Sequence, residues 1–294
     1  MSGSRFIVPF ASVAIEPWTM DAHARSVGAM GSSVGHTSNG LPFLAFGDGP
    51  PLVVFPGLTM TNEVPKGADR YFQERMFRVL ARHHRIHVLA RRPGLGRGTD
   101  MADLARDYAG AIRCDIGGPV PLVGTSTGGS VALQFAVDHP DLVRRLVVVA
   151  AGSRLSDRGR AVQRAFGYLI LAGEHRTAWS IFGRSLVATR PAKFALSTLL
   201  WSLGPMLSPD DPSDMLATID AEDRFDITDR LWSIEAATLV IGGDHDELNS
   251  AAILRDTADL IPSGRSIILP GKGHVRAAGS GTTIRHLTEF ILEG

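Results

Sequence analysis

A serine flanked by glycines, in the run Gly124-Thr125-Ser126-Thr127-Gly128, matches the pattern G-x-S-x-G. The apolar run Pro121-Leu122-Val123 precedes it, and the helix-forming run Val131-Ala132-Leu133-Gln134-Phe135 follows it. This context predicts a sharp turn between a strand and a helix that exposes the serine hydroxyl, since the glycines remove β-carbons that would collide there. The turn also directs the free N–H groups at the start of the helix toward the reacting centre. The pattern therefore indicates a nucleophilic serine, Ser126, and acyl-transfer chemistry.

A serine hydroxyl is a poor nucleophile unless a base takes its proton and a carboxylate fixes the orientation of that base. The late part of the chain holds candidates for both partners. Asp244 and Asp246 follow an apolar run over 238–241, and parallel sheets build their sites at the carboxyl ends of such strands. His274, one of ten histidines, lies in a glycine-rich segment five residues after Leu269, where another apolar run ends. Two weaker acidic candidates are Glu247 and Asp157.

Short apolar runs alternate with helical patterns from Leu41 onward, which predicts a mostly parallel sheet with crossover helices. The predicted strands cover 41–46, 52–55, 85–90, 120–123, 145–150, 238–241 and 266–269. The predicted helices of this core cover 71–82, 103–114, 128–138 and 283–292.

Helical patterns alone occupy the run between Ala150 and Thr238, a stretch too long for a loop in a compact domain. These patterns cover 162–171, 177–187, 192–203 and 213–220. They predict a helical lid inserted between two strands of one sheet. The resulting division is a partly irregular N-terminal arm over 1–40, a first part of the core α/β domain over 41–152, the lid over 153–232, and a second part of the core over 233–294.

The chain resembles the α/β-hydrolase family over roughly residues 38–294, and specifically its lid-bearing, cofactor-free esterase-like members. The resemblance rests on four segments, which are 124–129, 227–234, 238–246 and Gly273-His274-Val275. It implies an α/β-hydrolase fold with a mostly parallel central sheet, flanking helices and an inserted helical lid. It also implies that no cofactor is needed.

The resemblance assigns the two partners of Ser126. In this family the acid follows the late strand as G-x-x-D, which counted from Gly243 is Asp246, and Asp244 is then a turn residue. The base comes later in the chain, where His274 and His286 remain. Because His286 falls within the last predicted helix, His274 is the predicted base.

The resemblance also implies two backbone donors for the oxyanion that develops during acyl transfer. One is the N–H of Thr127, after the nucleophile, and the other is the N–H of Leu58, in the loop after an early strand. The family pattern is broken beside this loop, since Pro56 stands where a histidine often precedes the glycine, and Arg91 where an aspartate often follows the next strand. Neither position belongs to the Ser–His–Asp set, so the predicted reaction class is unchanged.

Large apolar side chains of the lid predict an apolar substrate pocket, and the candidates are Trp179, Phe182, Trp201 and Met206. Helical periodicity alone would also place such residues in a core of the lid itself. Both interpretations remain open on the sequence.

Charge and composition weigh against several other classes of protein. Thirty basic and thirty acidic residues cancel, so no global field would attract nucleic acid or an anionic membrane. No stretch reaches the ~20 apolar residues of a membrane-spanning helix. The nearest metal-ligand pattern, Asp244-His245-Asp246, places adjacent side chains on a turn, which rarely converge on one ion. We therefore predict no metal and no nucleic-acid partner, a small-molecule substrate, and a homodimer as an open alternative to a monomer.

The single cysteine, Cys114, cannot form an internal disulfide and is predicted to pack under the sheet. This composition favours a reducing, cytoplasmic location. Secretion is the alternative, because Arg5 precedes an apolar stretch over 6–15 that imitates part of a signal peptide.

The predicted function is hydrolysis of an ester, or of a related acyl bond in a small to medium and fairly apolar substrate, through an acyl-enzyme. The same triad also serves hydrolysis of thioesters, lactones and carbon–carbon bonds and cofactor-free perhydrolysis, because fold and triad leave the substrate open. The alternative from another class is a non-catalytic receptor for a small ligand on the same scaffold.

Overall fold

A computed structural model describes residues 31–293 of the chain. At the centre of the fold lies an eight-stranded sheet. Its first two strands pair antiparallel with their neighbours, and the other six strands are parallel to one another. In chain order the strands are β1 Ser33–His36, β2 Pro42–Phe46, β3 Pro51–Phe55, β4 Arg85–Leu89, β5 Val120–Thr125, β6 Val143–Val149, β7 Ala237–Gly243 and β8 Gly264–Leu269. Across the sheet their order is β1-β2-β4-β3-β5-β6-β7-β8.

Helices flank this sheet and also form a separate group between β6 and β7. The flanking helices are α1 Gly67–Met76, α2 Met101–Ala111, α3 Thr127–Asp138, α8 Ala251–Asp259, α9 His274–Gly279 and α10 Gly281–Leu292. The inserted helices are α4 Asp157–Leu171, α5 His175–Ser185, α6 Arg190–Leu207 and α7 Ser213–Asp223. The predicted mostly parallel sheet with flanking helices is confirmed.

Several elements differ from the prediction. The end of the predicted arm forms β1, a short and largely exposed edge strand without an apolar run. Helix α1 stops at Met76, because the following chain packs on the turn between β2 and β3, where the carbonyl of Ala81 accepts from the N–H of Asp48. Helix α8 was not predicted. Cys114 lies on a π-helical turn after α2 and is exposed rather than packed under the sheet.

Both faces of the sheet are covered, which explains why its central strands are continuous apolar runs. Helices α2 and α3 cover one face, where Tyr108 stacks on Phe55 of β3 with ring centroids 3.9 Å apart. Helix α10 covers the other face through Leu287 and Phe290. Burying each such side chain contributes about 1.5–3 kcal/mol, so the sheet is a rigid base for the loops at its carboxyl edge.

The inserted helices have a core of their own. The ring of Phe166 stacks on Phe182 with centroids 4.6 Å apart and meets the edge of Trp179 at 5.3 Å. The two ends of the insert meet at a narrow neck, where Arg154 and Asp226 form an isolated bridge. The insert is therefore a helical subdomain that leaves the sheet after β6 and returns to it before β7.

Residues 1–30, which include most of the predicted arm and the apolar stretch considered as a secretion signal, lie outside the described residues. Over residues 31–293, no helix combines the length and the apolar character needed to cross a membrane.

Candidate active site

Ser126 lies on the turn between β5 and α3 with φ 52° and ψ −128°, a backbone conformation that costs a non-glycine residue energy. The neighbouring strand holds this strained turn, because the N–H of Ser126 donates to the carbonyl of Val149 at 2.8 Å. A β-carbon at Gly128 would meet the carbonyl oxygen of Phe55 at 2.1 Å, so only glycine lets α3 approach β3 this closely. The predicted sharp turn is present, and Ser126 is only partly buried.

Three predicted side chains form one hydrogen-bonded chain at the carboxyl edge of the sheet. The hydroxyl of Ser126 donates to Nε2 of His274 at 2.9 Å, and Nδ1 of His274 donates to Oδ2 of Asp246 at 2.7 Å. His274 and Asp246 are each 5% exposed. With the ring bonded in this way, the lone pair of Nε2 faces the serine, which is the tautomer that a general base requires.

The second oxygen of Asp246 is also held. Oδ1 accepts from the backbone N–H groups of Leu248 at 2.8 Å and Asn249 at 3.1 Å. Asp244, the alternative acid, instead accepts from Nδ1 of His245 at 2.7 Å and is exposed. The turn after β7 thus separates the two aspartates, and Asp246 is the one that contacts His274.

His274 is the first residue of the short helix α9 rather than part of a loop. Burial lowers the pKa of its imidazole, but the charge and hydrogen bond of Asp246, together with the charge of Glu222, outweigh that effect. The pKa of His274 therefore lies above its ordinary value. This direction means that the surroundings favour the imidazolium form, which develops when the base takes a proton.

The two predicted oxyanion donors lie on segments that meet at Ser126. Thr127 follows Ser126 directly, and a β-carbon at Gly57, next to Leu58, would meet Cβ of Ser126 at 3.4 Å. Within the described residues, neither the N–H of Leu58 nor that of Thr127 donates to another backbone group. The N–H groups of Leu58 and Thr127 therefore remain the candidate oxyanion donors.

The loop that carries Leu58 is held by Arg91, one of the two departures from the family pattern. Arg91 is only 2% exposed. Its guanidinium donates to the carbonyls of Pro56 at 3.2 Å and Gly57 at 2.8 Å and to the hydroxyl of Thr59 at 2.9 Å. Burial lowers the pKa of Arg91, while Tyr108, Glu222 and Asp214 act in the opposite direction. A buried cation thus fixes the conformation of the candidate oxyanion loop.

Sequence reasoning missed Glu222, a buried carboxylate on α7 that contacts the start of α3. It accepts from the hydroxyls of Thr127 at 2.7 Å and Ser130 at 2.9 Å and from the side-chain amide of Gln163 at 3.0 Å. The sequence held one signal for it. Glu222 lies seven residues after Met215, on the buried face of α7, so an acidic residue occupies a position where the helical pattern predicts an apolar one.

A cavity of about 280 Å³ lies between the Leu58 loop, the start of α1 and the insert. It shares Leu58 with the candidate site, but Ser126, His274 and Asp246 do not line it. Its apolar lining is Pro56, Leu58, Met60, Val64, Pro65, Ala90, Trp179, Met206, Leu207 and Pro209. Its polar lining is Thr59, Thr61, Glu63, Lys66, Asp69, Gln73, Ser208 and Asp210. Burial raises the pKa of Asp69 against the opposing hydrogen bond with Gln73.

The four predicted pocket residues separate into two pairs. Trp179 and Met206 line this cavity. Phe182 does not, because it is buried in the core of the insert. The prediction for Trp201 is wrong, since its side chain is 49% exposed and the guanidinium of Arg176 covers its ring at 4.7 Å on the outside of α6. Helical periodicity could not distinguish these environments.

The sequence profile of the alpha/beta hydrolase fold matches residues 50–276, which is most of the chain. The chain belongs to the α/β-hydrolase family. Among solved structures, this α/β hydrolase is similar to a hydrolase from Pseudomonas aeruginosa PA01, with a TM-score of 0.71 and 19% identity over 91% of this chain and 100% of the other. At that identity the likeness concerns the fold alone.

Two curated relatives that match most of this α/β hydrolase over most of their own length are named as hydrolytic enzymes. It is 28% identical to a 2-(acetamidomethylene)succinate hydrolase of Mesorhizobium japonicum over 83% of this chain and 89% of the relative. It is 26% identical to a pimeloyl-[acyl-carrier protein] methyl ester esterase of Vibrio cholerae over 78% and 88%. It also matches polyketide synthase ThaQ of Burkholderia thailandensis at 29% identity, but spans only 11% of that protein. The chain is therefore an enzyme, a hydrolase.

Proposed function

We propose that this α/β hydrolase is a serine hydrolase that cleaves an ester, or a related acyl bond, of a small to medium and fairly apolar substrate through an acyl-enzyme. The observation that carries the proposal is the continuous hydrogen-bonded chain from Ser126 through His274 to Asp246. A buried imidazole in the correct tautomer, with a carboxylate behind it and a serine on a strained turn before it, is the arrangement that activates a hydroxyl.

The proposed reaction has two halves. The hydroxyl oxygen of Ser126 attacks the carbonyl carbon while Nε2 of His274 takes its proton, and the N–H groups of Leu58 and Thr127 bind the oxyanion. The imidazolium then gives its proton to the leaving alcohol as the acyl-enzyme forms. Water, deprotonated by His274, attacks the acyl-enzyme, and the imidazolium then returns that proton to the oxygen of Ser126 as the acid is released. Asp246 orients the ring and stabilises the imidazolium in both halves.

The cavity beside Leu58 supports the choice of substrate class. Ten of its eighteen lining residues are apolar, Trp179 and Met60 among them. Apolar walls of this kind bind an acyl or alcohol chain by removing its surface from water. The similarity to the Vibrio cholerae methyl ester esterase supports an ester as the bond that is cleaved. We propose that the insert acts as a lid that covers the acyl or alcohol chain of the bound substrate.

Labelling with a fluorophosphonate probe tests the proposal. The wild-type protein should be labelled covalently at Ser126, identified by mass spectrometry of the modified peptide, and should hydrolyse p-nitrophenyl esters. Ser126→Ala is the matched control and should lose both labelling and turnover. A folded wild-type protein that the probe does not label would favour the non-catalytic receptor. Labelling at another serine would overturn the assignment of Ser126.

A further inference from the structure

Glu222 is a buried carboxylate that the proposed reaction does not use. It is 2% exposed, and burying an ionised group is costly unless hydrogen bonds compensate for the lost water. Three donors do so here, two of them on the first turn of α3 and the third, Gln163, on α4. A carboxylate of the insert is thus joined directly to the helix that begins at the nucleophile.

The position of these bonds gives them a consequence for the site. Thr127 supplies one candidate oxyanion donor through its N–H, and its hydroxyl is fixed by Glu222 at 2.7 Å. Ser130, three residues further along the same turn, is fixed by the other oxygen of the same carboxylate at 2.9 Å. Hydrogen bonds from the carboxylate to two residues of the first turn of α3 restrain the direction of the Thr127 N–H. Small displacements of an oxyanion donor have large effects on the reaction rate.

The charge of Glu222 also acts on the imidazole of His274. The charges acting on the ring of His274 come from Asp246, after β7, and from Glu222, on α7. Arg91, after β4, is the buried cation near Glu222, and Asp214, on α7, acts on the same guanidinium. Glu222 is therefore a second anion that favours the imidazolium form of His274, in addition to the Asp246 carboxylate bonded to the ring.

We infer that Glu222 is a positioning residue of the hydrolase, which aligns the first turn of the nucleophile helix and supplies a second negative charge to the His274 imidazolium. The inference rests on the proposed serine mechanism. It differs from a purely structural role, because packing alone would not link Glu222 to the ionisation of His274.

Glu222→Gln tests the inference, because it keeps the shape of the side chain and removes its charge. With p-nitrophenyl acetate, kcat should fall roughly tenfold with little change in KM, since an interaction that acts mainly in the transition state is lost. Removing an anion lowers the pKa of an imidazole, so His274 stays neutral to lower pH. The acid limb of kcat/KM should then move to lower pH by about half a unit or more.

Two further variants complete the design. Glu222→Asp keeps the charge and should keep the acid limb near its wild-type position. Asp223→Asn is the matched control, since it removes the neighbouring carboxylate, which pairs with Arg164 and not with α3. Its kcat and its acid limb should both equal those of the wild type.

Several outcomes overturn the inference. A folded Glu222→Gln protein with an unmoved acid limb would show that the carboxylate does not act on His274, and NMR titration of the His274 ring measures the same shift without turnover. If Glu222→Gln does not fold, the isosteric variant Thr127→Val replaces it. An unchanged kcat in that variant would overturn the inference that the Glu222 carboxylate aligns the first turn of α3. A wild-type protein without labelling at Ser126 contradicts the proposed function instead, which keeps the two failures distinct.

Discussion

The backbone N–H of Val275 donates to the carbonyl of Leu186 at 3.1 Å, which joins the helix that begins at His274 to the end of α5 in the insert. The approach is close, because a β-carbon at Gly273 would meet the backbone N of Ala188 at 2.8 Å. The candidate base therefore depends on the insert for part of its position.

The other two segments of the site are joined to the insert in the same way. The N–H of Ser156, at the start of α4, donates to the carbonyl of Leu248 at 3.0 Å, two residues after Asp246. Lys193 of α6 forms an ion pair with Glu247. Together with the contact between Glu222 and α3, these bonds tie all three segments of the candidate triad to the insert. We expect these parts of the insert to behave as a fixed frame of the site.

Replacement of the acid distinguishes Asp246 from Asp244. Asp246→Asn should lower kcat by orders of magnitude with little change in KM, because the amide no longer holds the required tautomer of His274. Asp244→Asn is the control and should leave kcat near the wild-type value, since that side chain contacts His245 instead. Steady-state kinetics on p-nitrophenyl acetate measure both, and the reverse pattern would move the acid to Asp244.

The pH dependence of the reaction should report the raised pKa of His274. The base acts only when neutral, so kcat/KM should rise with pH through a pKa above the ordinary 6.5 and then level off. In Asp246→Asn the residual activity should show its acid limb at lower pH, because the carboxylate that raises the pKa is gone. Profiles from about pH 5 to 9 measure this, and a wild-type limb with a pKa at or below the ordinary 6.5 would contradict it.

Arg91 should matter through the loop that it holds. Arg91→Met removes the donors to Pro56, Gly57 and Thr59, so we expect kcat to fall roughly 10- to 100-fold as the Leu58 N–H loses its alignment. The free energy of unfolding should fall by about 2–4 kcal/mol, because buried carbonyls lose charged partners. Urea unfolding and kinetics measure the two effects. Arg92→Ala, at an exposed ion pair, is the control, and equal effects would refute this role.

The cavity should set the preferred chain length of the substrate. Trp179→Phe enlarges the cavity while keeping an aromatic ring in the insert. The kcat/KM for longer p-nitrophenyl esters should therefore rise relative to that for p-nitrophenyl acetate. The expected change in relative kcat/KM corresponds to about 1–3 kcal/mol. Trp201→Phe makes the same replacement on the outer surface and should leave the profile parallel to the wild type. A parallel profile for Trp179→Phe as well would mean that this tryptophan serves only the core of the insert.

Local signals were enough for much of the fold and for the candidate triad. Strands such as β5 and β7 are continuous apolar runs because both faces of the sheet are covered, and this pattern is visible without coordinates. The turn at Ser126 was predictable because only certain residues tolerate so close an approach of a strand and a helix. The segments that hold Asp246 and His274 were predictable from strand ends, since the carboxyl edge of a parallel sheet collects the side chains that follow its strands. The family resemblance then selected Asp246 over Asp244 and His274 over His286.

Elements without a strong local pattern were missed. Strand β1 is short, polar and exposed, and it exists because β2 offers it an unpaired edge. Helix α8 has only nine residues, begins at the cap that Ser250 provides, and depends on packing against the sheet. In both cases the stabilising partner is distant in sequence, so no local window contains it.

Local sequence patterns predicted most of the strands and helices and the sharp turn that carries Ser126, and the family resemblance then selected His274 and Asp246. Tertiary contacts place Trp201 outside and Trp179 along the cavity, join Arg91 to the Leu58 loop, and join Glu222 of the insert to α3. These contacts bridge residues 32–95 positions apart. Local periodicity says which face of a helix is buried but not against what, and only the folded chain settles which distant group meets a buried charge.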